Sequence, residues 1–441
     1  MSSLEHKITP GFLMKFTLPT MIMMVFNSFY TMVDGGFVSN FVGTSALSAV
    51  NIVYPVINFV FAVGIMLATG GSAIVARLMG EKKPMLARQS FSLITISGVV
   101  MGLMITMICI CFTGSIVRVL GANDAIYGYC YDYGFYLSLF IPFAILQLLF
   151  QFFFVTAGRP NLGLWATVAG GVANIVLDYL FIVPLNMGIK GAAIATGIGY
   201  AVPSVIGLLY FSGKGQKSLS FAKPVRDLSI LRKTCTNGSS EMVSNLAVSV
   251  TTFLFNRIMM DYLGEDGVAA MTIVFYAQFL FTAIFLGYTS GAAPLFSFNY
   301  GAQDKKRLHQ LFRISMIFIA ACSVIAFGLS IVLSDTVIGV FAASGSNVFE
   351  LAKHGMYLFA AGFLFMGFNI FASGLFTALS NGRVSAILSF LRTFIFLLLT
   401  ILLLPMLLEV NGVWLSIPVA ELMALVVALI YILKYRKVYG Y

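Results

Sequence analysis

Charge is what this sequence has least of. Only 10% of its 441 residues are Asp, Glu, Lys or Arg, against 60% hydrophobic ones, and so apolar a chain cannot stay dispersed in water as a globule. Histidine is almost missing. His6, His309 and His354 stand apart without the HExxH spacing of a zinc hydrolase. The five cysteines (Cys109, Cys111, Cys130, Cys235 and Cys322) form no CxxC pair, so neither a disulfide framework nor a metal site is expected. In Gly213-Lys214-Gly215-Gln216-Lys217-Ser218, Gln216 stands where a phosphate loop needs Gly before its Lys, which excludes ATP hydrolysis by that route. No nucleophile, base and orienting group can be assembled. No enzyme activity and no cofactor are expected, and the net charge of +10 lies in short blocks between apolar runs rather than on a nucleic-acid-binding face.

What the chain has instead is length of apolar sequence. A run of about 20 apolar residues spans the hydrocarbon of a bilayer. Twelve such runs fall near 12–38, 46–76, 90–112, 133–156, 162–183, 191–211, 234–262, 267–298, 311–333, 354–377, 384–407 and 412–433. Ten-residue alternating strands, the mark of a membrane barrel, are absent, so these runs are helices with internally satisfied backbones. The first run follows ten mostly polar residues and is too long for a signal peptide.

The runs are organised as a duplication. Gly43, Gly70, Gly80, Gly134, Pro184 and Gly191 recur half a chain later as Gly264, Gly291, Gly301, Gly355, Pro405 and Gly412, all at one constant offset, so boundaries and punctuation repeat in phase. The expected fold is all-α and integral to the membrane, with twelve transmembrane helices in two six-helix bundles related by a pseudo-twofold axis. Residues 1–212 form the first lobe, 213–233 a basic linker facing anionic lipid or solvent, and 234–441 the second lobe. All of the 26 basic residues except Arg118, Lys190, Lys353, Arg257 and Arg392 fall on one side, which predicts both termini in the cytoplasm. With six spans per repeat the copies share one orientation, and the axis lies along the membrane normal.

Function is expected where ionisable groups are stranded inside spans. A charge at mid-bilayer costs several kcal/mol, so an acid there is protonated or holds a cation. Asp34 comes late in the first span and Asp178 late in the fifth. Asn27 and Tyr30 lie seven and four residues before Asp34, and Asn174 four before Asp178, on the same helical faces. Glu241 opens the seventh span. Arg392 and Glu421 are possible partners in the second half, with nothing local to orient them.

The sequence Asp34, Phe41-Val42-Gly43 with Ala49, Gly70-Gly71-Ser72-Ala73 and Arg77 with Gly80 resembles the multidrug and toxic compound extrusion (MATE) transporters of prokaryotes. So does its second-half copy, Tyr262-Leu263-Gly264 with Ala270, Gly291 and Asn299-Tyr300-Gly301. The resemblance covers the whole chain. It implies a V-shaped antiporter of the bacterial inner membrane, functional as a monomer, that expels small organic cations in exchange for H+ or Na+ by alternating access. One branch of that family carries an acid in the first helix, Asn-x3-Asp in the fifth and Thr in the sixth. Here these are Asp34, Asn174 with Asp178, and Thr196, joined by Tyr133 and by Gln151 in place of an asparagine. Na+ would be held at Asp34 and Asp178. The other branch uses acids in the seventh and tenth helices; Glu241 answers the first, but Asn369 stands in the tenth. A lipid-linked saccharide flippase of the same superfamily is the alternative, and would need cavity bases such as Arg257 and Arg392. Across the offset of the repeat, Asp34, Asn174, Asp178 and Thr196 fall on Phe255, Ile395, Leu399 and Ile417, which confines the expected cation chemistry to the first copy.

Overall fold

The computed structural model describes residues 3–213 and 218–441, with the side chains of residues 3, 31–36, 39, 40 and 44 outside that description. Asp34 belongs to this last group, and Lys214, Gly215, Gln216 and Lys217 of the linker lie outside the described residues. No strand occurs among the described residues. In chain order the α-helices are α1 (Pro10–Phe37), α2 (Thr44–Gly80), α3 (Pro84–Val119), α4 (Tyr127–Ser138), α5 (Ile141–Thr156), α6 (Pro160–Ile182) and α7 (Gly188–Ser212). The second half holds α8 (Ser229–Gly301), α9 (Lys305–Val332), α10 (Ser334–Gly339), α11 (Asn347–Phe359), α12 (Phe363–Ala378), α13 (Gly382–Phe390) and α14 (Leu397–Tyr439).

Twelve spans result once the long helices are divided. α8 breaks at Gly264 (φ 65°) and α14 at Glu409 (φ 50°), and α4 with α5 forms one span bent by 54°. Proline placed at the start of α3 and α6 uses the position where a missing N–H costs nothing. In the second half, side chains cap the helix starts instead: Asp304 accepts from the Arg307 amide at 3.0 Å, Ser346 from Phe349 at 3.2 Å and Asn381 from Val384 at 3.3 Å.

The duplication is visible in the backbone. Left-handed conformations recur at the offset of the repeat, at Gly43 and Gly264, at Lys82 and Gln303, and at Gly188 and Glu409. The register is not perfect: Gly158 (φ 75°) matches Ser380 (φ 59°), one residue further on. A π-helical turn at Leu391–Phe396, beyond the slip, has no counterpart in α6. Comparison of the two half-sequences needs no gap there and misses it, because apolar residues on both sides are interchangeable.

Four of the glycines that recur in the sequence, Gly70, Gly80, Gly291 and Gly301, form the seam between the bundles. A Cβ on Gly80 would stand 2.0 Å from the Phe298 carbonyl oxygen, and one on Gly301 2.1 Å from that of Arg77. Arg77 and Phe298 are themselves equivalent positions of the repeat, so each contact is the symmetry mate of the other. Likewise a Cβ on Gly70 would stand 2.0 Å from the Thr234 carbonyl oxygen and close to Gly238, while one on Gly291 would meet Thr17, the mate of Gly238. Backbones this close need small residues, the usual device for helix packing in lipid. Arg77 also stacks its guanidinium 5.1 Å from the centre of the Tyr300 ring. Beyond the glycines, the Asn58 amide donates to the Asn245 carbonyl at 3.2 Å and to Ser249 Oγ at 2.9 Å. These approaches extend from the basic ends of α2 and α8 to about the middle of α2.

Each bundle also lends its opening helix to the other. Leu4, Ile8, Leu13 and Phe16 are buried in one cluster with Leu308 and Leu311, while Ile230 at the start of α8 joins Phe91, Phe153 and Phe211 of the first bundle. Arg307 donates to the Glu5 carbonyl at 3.3 Å across the same end. On this face Lys83 and Arg77 both engage the Glu81 carboxylate, at 2.8 and 2.9 Å, and hold its pKa below the ordinary carboxylate value, Lys83 most of all.

Candidate functional site

The first bundle gathers a polar cluster around α6. Asn174 and Asp178, four residues apart on one face, are both fully buried. Asn174 Nδ2 donates to Thr196 Oγ1 of α7 at 3.4 Å, and Thr196 donates to the Ala192 carbonyl at 2.9 Å. Close helix contact makes this possible: a Cβ on Gly170 would lie 2.6 Å from the Gly199 carbonyl oxygen. Asn174 Oδ1 is buried with no hydrogen-bond partner among the described residues, an acceptor left open beside a buried acid.

α1 reaches the same place. The space beside Gly171 is filled by Phe26, 2.6 Å from where a Cβ would stand, and by Tyr30 at 3.5 Å. Asn27 and Tyr30 therefore stand on the helix that flanks Asn174, and Asp34 follows Tyr30 by one helical turn. The Asp34 side chain itself lies outside the described residues. Tyr133, on α4, is buried. Its neighbour on that helix packs toward α2 and α3: Gly134 faces Val53 and Thr113.

Gln151 is placed elsewhere. Its Nε2 donates to Thr167 Oγ1 at 3.1 Å, and Thr167 lies two turns before Asn174 on α6, about 10 Å along the axis. Thr167 keeps its own bond to the Gly163 carbonyl, at 3.0 Å. Gln151→Leu is thus expected to cost about 1 kcal/mol of stability and to change transport less than about threefold. Thermal denaturation and vesicle flux of that variant check these two expectations.

The second bundle holds two separate polar groups. Glu241 of α8 accepts from Ser240 and from Thr377 Oγ1, the latter at 3.1 Å, and from Thr69 of α2. Behind it the hydroxyls of Thr377 and Ser385 lie 2.8 Å apart, those of Ser385 and Ser373 2.9 Å, and those of Ser373 and Ser389 2.7 Å. The sequence reading does not anticipate this hydroxyl cage. Its signal is a pair of hydroxyls four residues apart in each of two adjacent spans, Ser373 with Thr377 and Ser385 with Ser389. The other group is an ion pair: Arg392 Nη2 lies 2.7 Å from Glu421 Oε1, and its Nε donates to both carboxylate oxygens at 2.9 and 3.0 Å. Asn369 Nδ2 completes it with a 2.6 Å bond to Glu421 Oε2. Arg257 is engaged as well, with Asp261 at 3.3 Å. No group of three or more His, Cys, Asp and Glu that could hold a metal occurs among the described residues.

A family model for MatE matches residues 19–180 and again residues 242–402. The chain belongs to the MatE family. That the same model fits twice, once per bundle, agrees with the duplicated backbone. A MatE protein is a membrane transporter rather than an enzyme. Among its relatives, Multidrug export protein MepA of Staphylococcus saprophyticus is 25% identical over 440 residues, covering 96% of this chain and 94% of the relative. The protein of the same description from Staphylococcus aureus is 23% identical over 429 residues, with coverages of 96% and 94%. Solved structures share the fold. A MATE protein in complex with MaL6 superposes with a TM-score of 0.92 at 22% identity, over 98% of this chain and 96% of that one. An outward-facing multidrug resistance MATE family transporter gives 0.90 at 22% identity, over 97% and 96%. A MOP superfamily transporter from Pyrococcus furiosus, described by the reverse polarity of its binding pocket, gives 0.89 at 22% identity, over 98% and 96%.

Proposed function

We propose that this MatE transporter exports small organic cations of diverse structure, and that export is coupled to inward movement of H+ or Na+. The observation that carries the reading is the buried Asn174–Asp178 face with Thr196 beside it and an open amide oxygen at Asn174. A carboxylate in so apolar a place is neutralised by whichever cation can reach it, so a coupling ion and an organic cation compete for one site. Asp34, one turn beyond Tyr30, is the second acid of that site. The relatives described as multidrug export proteins support export of diverse small molecules.

The seam supplies the other half of the mechanism. The bundles meet at the end that bears Arg77, Lys83 and Lys305, the end where Gly440 packs against Lys305 and Arg307 holds Glu5. With the basic end in the cytoplasm, this is the state closed to the cytoplasm, in which incoming H+ or Na+ displaces the cargo. Parting of the glycine seam then exposes the same cluster to the cytoplasm, where the cargo displaces the ion. A transmembrane potential adds about 2.3 kcal/mol per 100 mV for each net charge moved inward, and therefore drives only an exchange in which more coupling ions enter than cargo charges leave.

A flippase for a phosphate-linked saccharide is disfavoured by the described cations. Arg392 is committed to Glu421 and Arg257 to Asp261, which leaves neither to receive a phosphate. The test is flux in proteoliposomes loaded with a fluorescent cationic dye, under an imposed proton gradient and then a sodium gradient. One of the two gradients is expected to accelerate dye movement, and Asp34→Asn to remove that acceleration. Dye flux indifferent to both gradients would overturn the coupling.

A further inference from the structure

The Arg392–Glu421 pair has no equivalent in the first bundle. At the corresponding positions the first bundle has Gly170 and Gly171 on α6 and Tyr200 on α7, and there the two helices touch backbone to backbone. The second bundle replaces that contact with a guanidinium and a carboxylate at the same depth. Arg392 is the second residue of the π-helical turn Leu391–Phe396. Such a turn re-aims the side chains it carries and recurs at functional positions. Both Glu421 oxygens are occupied, Oε1 by Nε and Nη2 of Arg392, and Oε2 by Nε and by Asn369. The Glu421 side chain is only 7% exposed and Arg392 18%.

We propose that Arg392 is an internal counter-ion that keeps Glu421 closed to exogenous cations, and is thereby a specificity-determining residue that removes this carboxylate from those open to cargo and coupling ion. Glu421 without it would be a buried carboxylate held by the Asn369 amide alone. A buried acid in that condition binds a cation or a proton. Arg392 occupies the place with a tethered cation whose planar fork fits a carboxylate better than a diffusible one does. Glu241 is held by side-chain hydroxyls, whereas Glu421 is plugged by a cationic side chain of its own bundle. Arg392 acts through Glu421 and contacts no cargo, so it is a positioning residue.

This inference rests on the cation-binding reading of Asp34 and Asp178, and the experiment separates the two. Tetraphenylphosphonium binding is measured by equilibrium dialysis on everted membrane vesicles, with the inserted protein quantified by immunoblot. The double variant Asp34→Asn/Asp178→Asn is expected to lose binding. Adding Arg392→Gln to it should restore binding to within about tenfold of the parent affinity. Adding Glu421→Gln as well should remove it again, and Arg392→Lys in place of Arg392→Gln should restore nothing, because the plug keeps its charge. Should Arg392→Gln fail to insert, Arg392→Met, closer in length and apolar, takes its place. Undiminished binding in Asp34→Asn/Asp178→Asn overturns the reading of the first bundle. Loss there with no recovery in an inserted Arg392 variant overturns the counter-ion proposal alone.

Discussion

Asp178→Asn is expected to reduce gradient-driven export by about a hundredfold or more while leaving the protein inserted and folded. The side chain is fully buried on α6, and Asn preserves its shape, so the change removes charge with little change of volume. The interaction lost is that between a cation and a carboxylate shielded from water. A loss of about 1.4 kcal/mol in such an interaction is a factor of ten in occupancy, and charged contacts in apolar surroundings are worth several kcal/mol. Asp178→Glu keeps the charge but lengthens the arm beside Asn174 and Thr196, and should fall by about tenfold, between the two. Initial rates of dye export from everted vesicles, normalised to inserted protein, decide this. A rate in Asp178→Asn within about threefold of the parent would remove Asp178 from the mechanism.

Gly80→Leu and Gly301→Leu should have the second largest effect, through the opposite part of the molecule. A Cβ at either position meets a backbone carbonyl at 2.0 or 2.1 Å, where van der Waals contact needs about 3.5 Å. No rotamer relieves a clash with backbone, so the bundles must part by more than an ångström at the basic end. Overpacking of this kind costs about 1–3 kcal/mol, enough to shift a two-state equilibrium by about tenfold to a hundredfold. Binding at the Asn174–Asp178 cluster should survive, and turnover should fall by at least about tenfold. Spin labels on α2 and α8 near Thr69 and Glu241 should report longer distances in either variant than in the parent. Unchanged distances with normal turnover would show that the seam tolerates the added side chain, and that closure of this face is not a step in transport.

Much of this arrangement is legible in the residues. The helix boundaries follow from apolar length and from Pro84, Pro160, Gly43 and Gly264, because a helix in lipid can end only where its backbone meets water or another partner. The seam is present as the recurring glycines, although their meaning as a contact surface needs the backbone in space. The Asn174, Asp178 and Thr196 grouping is readable from i,i+4 spacing and a family resemblance. Gln151 joins them in the sequence through the resemblance alone, in place of an asparagine; in the structure its amide donates to Thr167 of α6.

Other features leave no local trace. Arg392 and Glu421 are 29 residues apart on different helices, and their meeting depends on a π turn that no periodicity reveals. The hydroxyl cage around Glu241 draws on α8, α12, α13 and Thr69 of α2, a convergence of segments far apart in the chain. Asn58 ties the two bundles through its amide, yet its symmetry position holds Phe279, which can make no such bond. Duplication predicts scaffold well, because scaffold depends on small residues that must recur. It predicts chemistry poorly, because each polar group needs partners that only one copy retained.

Competition between ion and cargo at the first bundle is the centre of the mechanism, and displacement on binding tests it most directly. Tetraphenylphosphonium is added to purified protein in weakly buffered solution, and released protons are followed with a pH-sensitive dye, or released sodium with a radiolabel. Binding to the parent protein should expel H+ or Na+, and Asp178→Asn should bind the cation weakly and expel neither. Cation binding that releases no ion from the parent, or the same release from Asp178→Asn, would contradict competitive exchange at this cluster.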